Sequence, residues 1–163
     1  MSIINVVGAK IWGGGEQYVY DICKQLQQRH RTAYILVDQS NEDMQSRYAQ
    51  VGHVMTANLY TLKGFLSVNA VAKQVKEQGI DTIVCHSGKY ILFCIALKQL
   101  TGAKLVFIKH NLVPGKTDMY HRWINAQVDA FVCVSKLVYD DLMTPVIKDT
   151  SKYHVVYNGI DPN

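Results

Sequence analysis

The sequence predicts an α/β domain: a doubly wound, mostly parallel sheet of about seven strands, covered by helices on both faces. Two observations carry this. Seven short segments are rich in Val, Ile, Phe and Tyr, and most are continuous apolar runs rather than alternating ones, as in strands buried on both faces. Between them, apolar positions recur at three- and four-residue spacing, so strand and helix alternate with short connections. A chain of 163 residues, 48% apolar and 18% charged, suffices for one domain with a full core and is too apolar to be disordered.

The predicted strands are Ile3–Val7, Ala33–Val37, Val51–Thr56, Thr82–Cys85, Leu105–Ile108, Ala130–Val134 and His154–Tyr157. After the first, Val19, Ile22, Cys23 and Leu26 form one stripe on a helix over about residues 15–29. Asp38–Tyr48 is polar and is predicted to be a mobile loop. Val68, Val71, Ala72 and Val75 make a second helical stripe, ended by Gly79. Tyr90 to Leu100 is apolar nearly all round, which predicts a well-covered helix with Ser87 as N-cap and Gly102 as its stop. Asn111–Asn125 contains the turn Pro114-Gly115, and Thr117 is placed to cap a short helix carrying Met119, Trp123 and Ile124. Ser135 caps Lys136–Met143, and Pro145 follows its end. The last strand runs into Asn158-Gly159, two residues that tolerate positive φ.

Composition narrows the function classes. Cys23, Cys85, Cys94 and Cys133 sit in apolar patterns with no C-x-x-C, which predicts buried reduced thiols. No apolar run is long enough for a membrane span and no signal-type segment opens the chain, so a cytoplasmic protein is expected. The net charge of +4 permits an anionic lipid surface or a phosphorylated ligand and requires neither. No basic run is interleaved with aromatics, so nucleic acid is not an expected partner. Lys104, Lys109, Lys116 and Arg122 flank a segment containing Trp123; they read either as a weak membrane-surface contact or as an ordinary solvated face.

In an open parallel sheet, ligands bind outside the carboxyl ends of the strands. This sequence places Gly13, Gly14, Gly15 and Glu16 after strand one, His86 and Ser87 after strand four, His110 and Asn111 after strand five, and Ser135 after strand six. Consecutive glycines before a helix let a backbone approach a ligand, although on the residues alone they are equally a flexible turn. Tyr18 stands where a dinucleotide fingerprint needs its third glycine, and no G-K-[ST] occurs. Glu16 suits a helix N-terminus and repels a phosphate bound directly there. Trp12 either stacks on a sugar or covers the sheet edge. His110 is a strand-end imidazole, able to donate or accept near neutral pH, or simply bonded to nearby backbone. His86 lines the same edge or braces the Ser87 loop. Metal-ligand spacing and a G-x-S-x-G elbow are both missing from the sequence.

The Gly-rich first turn and the terminal run Val155-Val156-Tyr157-Asn158-Gly159-Ile160-Asp161, with helix-separated apolar strands between, resemble the N-terminal half of a GT-B glycosyltransferase of the family-4 type. The resemblance extends from Gly13 to Asp161. It implies that residues 1–157 form a Rossmann-like acceptor-side domain and that 158–163 begin an interdomain hinge at Asn158 and Gly159, with the C-terminal donor domain absent from this chain. It also implies retaining transfer of a sugar from a nucleotide-sugar donor to a sugar, lipid-linked or other hydroxyl acceptor, as in polysaccharide biosynthesis. The nucleotide sugar is a substrate there, and neither a metal nor a resident cofactor takes part. His110 is then catalytic, and Gly13, Gly14, Gly15, Glu16, His86, Asn111 and Ser135 line the donor/acceptor cleft. The chain alone is expected to be inactive, and the protein is expected to be cytoplasmic, able to sit peripherally at the inner face of a membrane. Two other classes stay open: a non-catalytic or split-enzyme subunit, and a stand-alone nucleotide- or flavin-binding Rossmann-type module.

Overall fold

The structure, a computed structural model, describes residues 2–60, 62–144 and 150–157. Pro145 and the predicted hinge residues Asn158 and Gly159 lie outside the described residues. In chain order the elements are β1 (Ile3–Val7), α1 (Gly14–Gln28), β2 (Tyr34–Asp38), α2 (Glu42–Tyr48), β3 (His53–Ala57), α3 (Leu62–Glu77), β4 (Thr82–Cys85), α4 (Ile91–Thr101), β5 (Lys104–Lys109), α5 (Met119–Gln127), β6 (Ala130–Cys133), α6 (Lys136–Leu142) and β7 (Tyr153–Val155). A 3₁₀ turn, Gly88–Tyr90, leads into α4.

The strands form one parallel sheet in the order β3-β2-β1-β4-β5-β6-β7. From β1 the chain winds outward to β3, then crosses back through α3 to β4 and winds the other way. Alternate residues of each strand serve opposite faces. Val7, Ile35 and Val37 pack with Val19 and Cys23 of α1 and Met44 and Tyr48 of α2. Ile4, Leu36, Ile83 and Leu105 pack on the other face with α3, α4, α5 and α6. Both faces are covered, which explains why the strands read as continuous apolar runs. All four cysteines are free and buried.

The strand and helix expectations hold to within a few residues at their ends, with one exception. Asp38–Tyr48 is not a mobile loop: it closes β2 and carries α2. Asn41 caps that helix, its Oδ1 accepting from the Met44 N–H at 3.1 Å. Glu42 and Asp43 occupy the positive end of the helix, and Met44 and Tyr48, one turn apart, are both buried. Two apolar residues in eleven give too weak a periodicity to read. At α5 the cap is Asp118 rather than Thr117, its carboxylate accepting from the His121 N–H at 3.1 Å. Ser87 caps the 3₁₀ turn before α4, and Gly102 ends α4 in the left-handed region at φ 74, where a side chain would be strained.

Asp38 ties the carboxyl ends of β2 and β3 together. It is 5% exposed. Its Oδ1 accepts from the Ser40 N–H at 3.0 Å and the Ser40 hydroxyl at 2.5 Å, and its Oδ2 accepts from the buried Leu59 N–H at 2.9 Å. Removing the carboxylate strands a buried N–H, which costs about 1–3 kcal/mol. Asp38→Ala is therefore expected to lower the urea midpoint by an amount in that range, and Asp38→Ser, which restores one acceptor, by less. An unchanged midpoint would show that water takes over the Leu59 amide.

Candidate functional site

The sheet reverses its winding between β1 and β4, and the loops leaving their carboxyl ends diverge there. In a doubly wound sheet this opens a crevice. The β1–α1 loop enters it with Gly13, Gly14 and Gly15. Gly13 is extended at φ −143, so no unusual backbone demands glycine there. Nor does crowding: the position of a Cβ on Gly14 faces nothing within 4 Å, and one on Gly15 would sit 3.8 Å from the His110 ring, an ordinary contact, so these glycines leave the crevice side of the loop open. Glu16 turns its Oε2 back to accept from the Gly13 N–H at 3.1 Å, so that amide is already engaged. The unforeseen helix α2 holds the loop in place. Asn41 Nδ2 donates to the Ala9 carbonyl at 2.9 Å, and the Tyr48 hydroxyl donates to the Glu16 carbonyl at 3.0 Å.

Trp12 covers the edge beside this loop. Its ring lies against Tyr20 and Tyr48, its Nε1–H donates to Gln17 at 3.0 Å, and the Arg47 guanidinium sits 4.9 Å from the ring centroid.

Two histidines meet beside Gly15. His86 leaves β4 and His110 leaves β5, and their nitrogens Nδ1 and Nε2 stand 3.0 Å apart. The far nitrogen of His86, Nε2, lies 3.0 Å from Asn5 Oδ1. Asn5 is the third residue of β1 and 5% exposed, and its amide Nδ2 faces Cys23 Sγ at 4.0 Å. The Tyr18 ring stands edge-on to His110, with centroids 5.3 Å apart. His86, which lines a pocket together with Ser87, thus also links β1 to His110.

This setting keeps both rings neutral. Desolvation, and then the nearby His110, push His86 down from 6.5 to about 3. Burial also lowers His110. Burial pushes the Cys23 thiol up to about 12, so it stays protonated.

Around the histidines lies a pocket of about 340 Å³, running beneath the β5–α5 loop. His86, His110, Asn111 and Lys116 stand at its mouth, while Phe107, Ile124, Phe131 and Leu142 line it more deeply. Among the described residues that line it there is no Asp or Glu. Lys109 turns inward, its Nζ donating to the Val113 carbonyl at 3.2 Å and so fastening that loop; desolvation lowers its pKa. Asn111 is exposed at the mouth. Ser135 is a helix cap, its Oγ accepting from the Val138 N–H at 3.2 Å. Lys104, at the opposite end of β5 from Lys109, is remote from Lys116, so the four cations do not form one surface. Lys116 and Arg122 remain near exposed Met119, Tyr120 and Trp123.

Of the residues singled out in the sequence, the glycine loop, Glu16, His86, His110 and Asn111 come together at the crevice. Asn5 and Asn41 escaped notice, and Tyr18 was seen only as the break in a glycine fingerprint. A buried Asn inside Ile3-Ile4-Asn5-Val6-Val7 was the available signal for the first, because a polar side chain mid-strand needs a partner.

The low His86 pKa has a stability consequence. Above pH 6.5 the ring is neutral whether the chain is folded or not. Between 6.5 and about 3 only the unfolded chain takes up the proton, so stability falls as pH falls through that window. At about 1.4 kcal/mol per unit, the full loss is on the order of 5 kcal/mol. Urea unfolding at pH 7 and pH 4.5 should show a smaller acid penalty for His86→Gln, which bonds without titrating, than for the unaltered chain. Equal penalties would mean that His86 does not titrate this way.

The comparisons agree with this architecture. Glycosyltransferase Family 4 matches residues 12–163 of the chain. No curated protein sequence matches it. Among solved structures, a glycosyltransferase from Rickettsia africae superposes with a TM-score of 0.82 at 19% identity, covering 98% of this chain and 43% of that one. Anabaena Alr3699/HepE in complex with UDP-glucose gives 0.74 at 19% identity, covering 99% and 44%. MurG of Acinetobacter baumannii gives 0.67 at 13% identity, covering 99% and 47%. This chain therefore spans less than half the length of these structural neighbours. Its sheet is the Rossmann-like half of a GT-B fold, and the chain belongs to glycosyltransferase family 4.

Proposed function

We propose that this chain is the acceptor-side domain of a retaining glycosyltransferase that moves a sugar from a nucleotide-sugar donor to a hydroxyl acceptor. The observation that carries the reading is the joined pair His86–His110, 3.0 Å apart beside the open glycine loop at the point where the sheet reverses. A neutral imidazole at that place is suited to hold or receive a proton from a hydroxyl. The donor class is supported by a relative of the same fold, which is described in complex with UDP-glucose. In this reading the nucleotide sugar enters as a substrate, without a resident cofactor or metal. His110 is the catalytic residue, Gly13, Gly14, Gly15, Glu16, His86 and Asn111 line the cleft, and Ser135 shapes it by capping α6.

The acceptor is of the lipid-linked kind, as used in polysaccharide biosynthesis. A pocket with a cationic mouth, no carboxylate among its described lining residues and an apolar interior suits an anionic head joined to a hydrocarbon. The exposed Met119, Tyr120 and Trp123 beside Lys116 suit peripheral contact with a membrane surface on the cytoplasmic side. Among the described residues no helix is long and apolar enough to cross a membrane. Residues 1–157 form the acceptor-side wall, 158–163 begin a hinge at Asn158 and Gly159, and a second domain supplies most of the donor contacts.

Turnover of UDP-glucose by the full-length native protein, with and without His110→Ala, tests the reading. The substitution is expected to lower kcat roughly 10²- to 10⁴-fold, the range for loss of a positioned acid or base. An unchanged kcat would remove His110 from the chemistry. This chain alone is expected to give no turnover, and activity from it alone would overturn the need for a second wall.

A further inference from the structure

A histidine beside a ligand can present either an N–H or a lone pair, and the choice decides whether it gives or takes a hydrogen bond. In this crevice three side chains make that choice together. Asn5 Oδ1 is an acceptor only, so the His86 nitrogen facing it, Nε2, must carry the proton. A neutral His86 protonated at Nε2 has its lone pair on Nδ1. The nitrogen opposite that lone pair is His110 Nε2, which must then donate. His110 is left with its lone pair on Nδ1, an atom with no hydrogen-bond partner among the described residues. His110 also lines the pocket mouth.

We propose that Asn5 and His86 are positioning residues that fix the tautomer of His110, so that its Nδ1 is a hydrogen-bond acceptor reserved for a ligand hydroxyl. The direction of the chain follows from the orientation of the Asn5 amide at its buried end. Asn5 Nδ2 faces the protonated Cys23 thiol, leaving Oδ1 toward His86. Turning the Asn5 amide over would reverse every bond in the chain and give His110 an N–H at Nδ1. The arrangement also accommodates proton transfer. When Nδ1 of His110 takes a proton from a hydroxyl, its Nε2–H still donates to His86, and no other bond has to change. A proton placed on His86 Nδ1 would instead confront the His110 N–H. The ring that faces the crevice is therefore the one able to charge.

The tautomer is a property of this chain; only the hydroxyl's identity as a sugar acceptor or donor group rests on the transferase reading. The test is nitrogen NMR on the uniformly labelled chain at neutral pH, which needs no turnover. We expect a coupling across the hydrogen bond between His110 Nε2 and His86 Nδ1, with the proton assigned to His110 Nε2 and an unprotonated His110 Nδ1. A proton on His86 Nδ1, a protonated His110 Nδ1, or no coupling at all would overturn the proposal. Asn5→Leu removes the acceptor and should raise the Nδ1–H share of His110 by roughly tenfold, the bias supplied by one buried hydrogen bond. An unaltered tautomer in a folded Asn5→Leu chain would discharge Asn5 from the role. Asn5→Asp keeps an acceptor at the same place and should leave the proton on His110 Nε2; its loss there would also count against the relay. If these signals appear and the full-length native protein turns over no nucleotide sugar, the transferase reading fails and the relay stands.

Discussion

A parallel sheet has to be covered on both faces, and a right-handed crossover can reach only one of them for a given direction of travel. The chain meets this constraint by winding twice, outward from β1 through α1 and α2, then the other way from β4 through α4, α5 and α6. The price is a seam. Between β1 and β4 the departing loops part. Asn5, His86 and His110 gather there, on either side of the reversal.

The seam also explains why a polar chain survives next to an apolar core. Asn5 lies inside β1, where an amide costs free energy unless it is bonded. His86 and His110 come from the two strands following on the far side of the seam, and the bonds Asn5–His86 and His86–His110 span β1, β4 and β5. Each link satisfies a group that the previous link brought out of water. The same desolvation that makes an unpaired ring costly drives both imidazoles neutral, and neutrality is what lets one ring accept while the other donates. Tyr18 and the bare backbone of Gly15 leave His110 room on the crevice side.

Much of this was legible in the sequence, and the parts that were not share a cause. Continuous apolar runs and helical stripes recur over many residues, so β1 to β7 and the longer helices declare themselves. Helix α2 offered only Met44 and Tyr48, and its stability comes from the Asn41 cap and from packing on α1. A cap looks like any other Asn until the chain is folded. His86 and His110 could be placed at the correct sheet edge by counting strands. Their joining could not, since it depends on strand order, which brings β4 and β5 together and sets β1 beside β4. The extent of the basic cluster was hidden for the converse reason: Lys104 and Lys109 are near in sequence but sit at opposite ends of one strand, and only Lys116 and Arg122 are close in sequence to the exposed aromatics.

The distribution of exposed apolar side chains bears on what the crevice lacks. Ile11 in the β1–α1 loop is 81% exposed, Leu112 and Val113 in the β5–α5 loop are largely open, and Met119 at the start of α5 is 87% exposed. Tyr60, after β3, belongs to the same rim. At the opposite end of the sheet the connections are polar: Arg29 to Thr32 before β2, and Gln78 to Asp81, apart from Ile80, before β4. Scattered apolar exposure is ordinary, but its concentration around one polar crevice is not. Water-exposed imidazoles would also lose the desolvation that keeps them neutral, so the pair works best with that rim covered. Covering the apolar lips of this crevice, with its wall of glycine and histidine, would both bury apolar surface and dry the paired imidazoles.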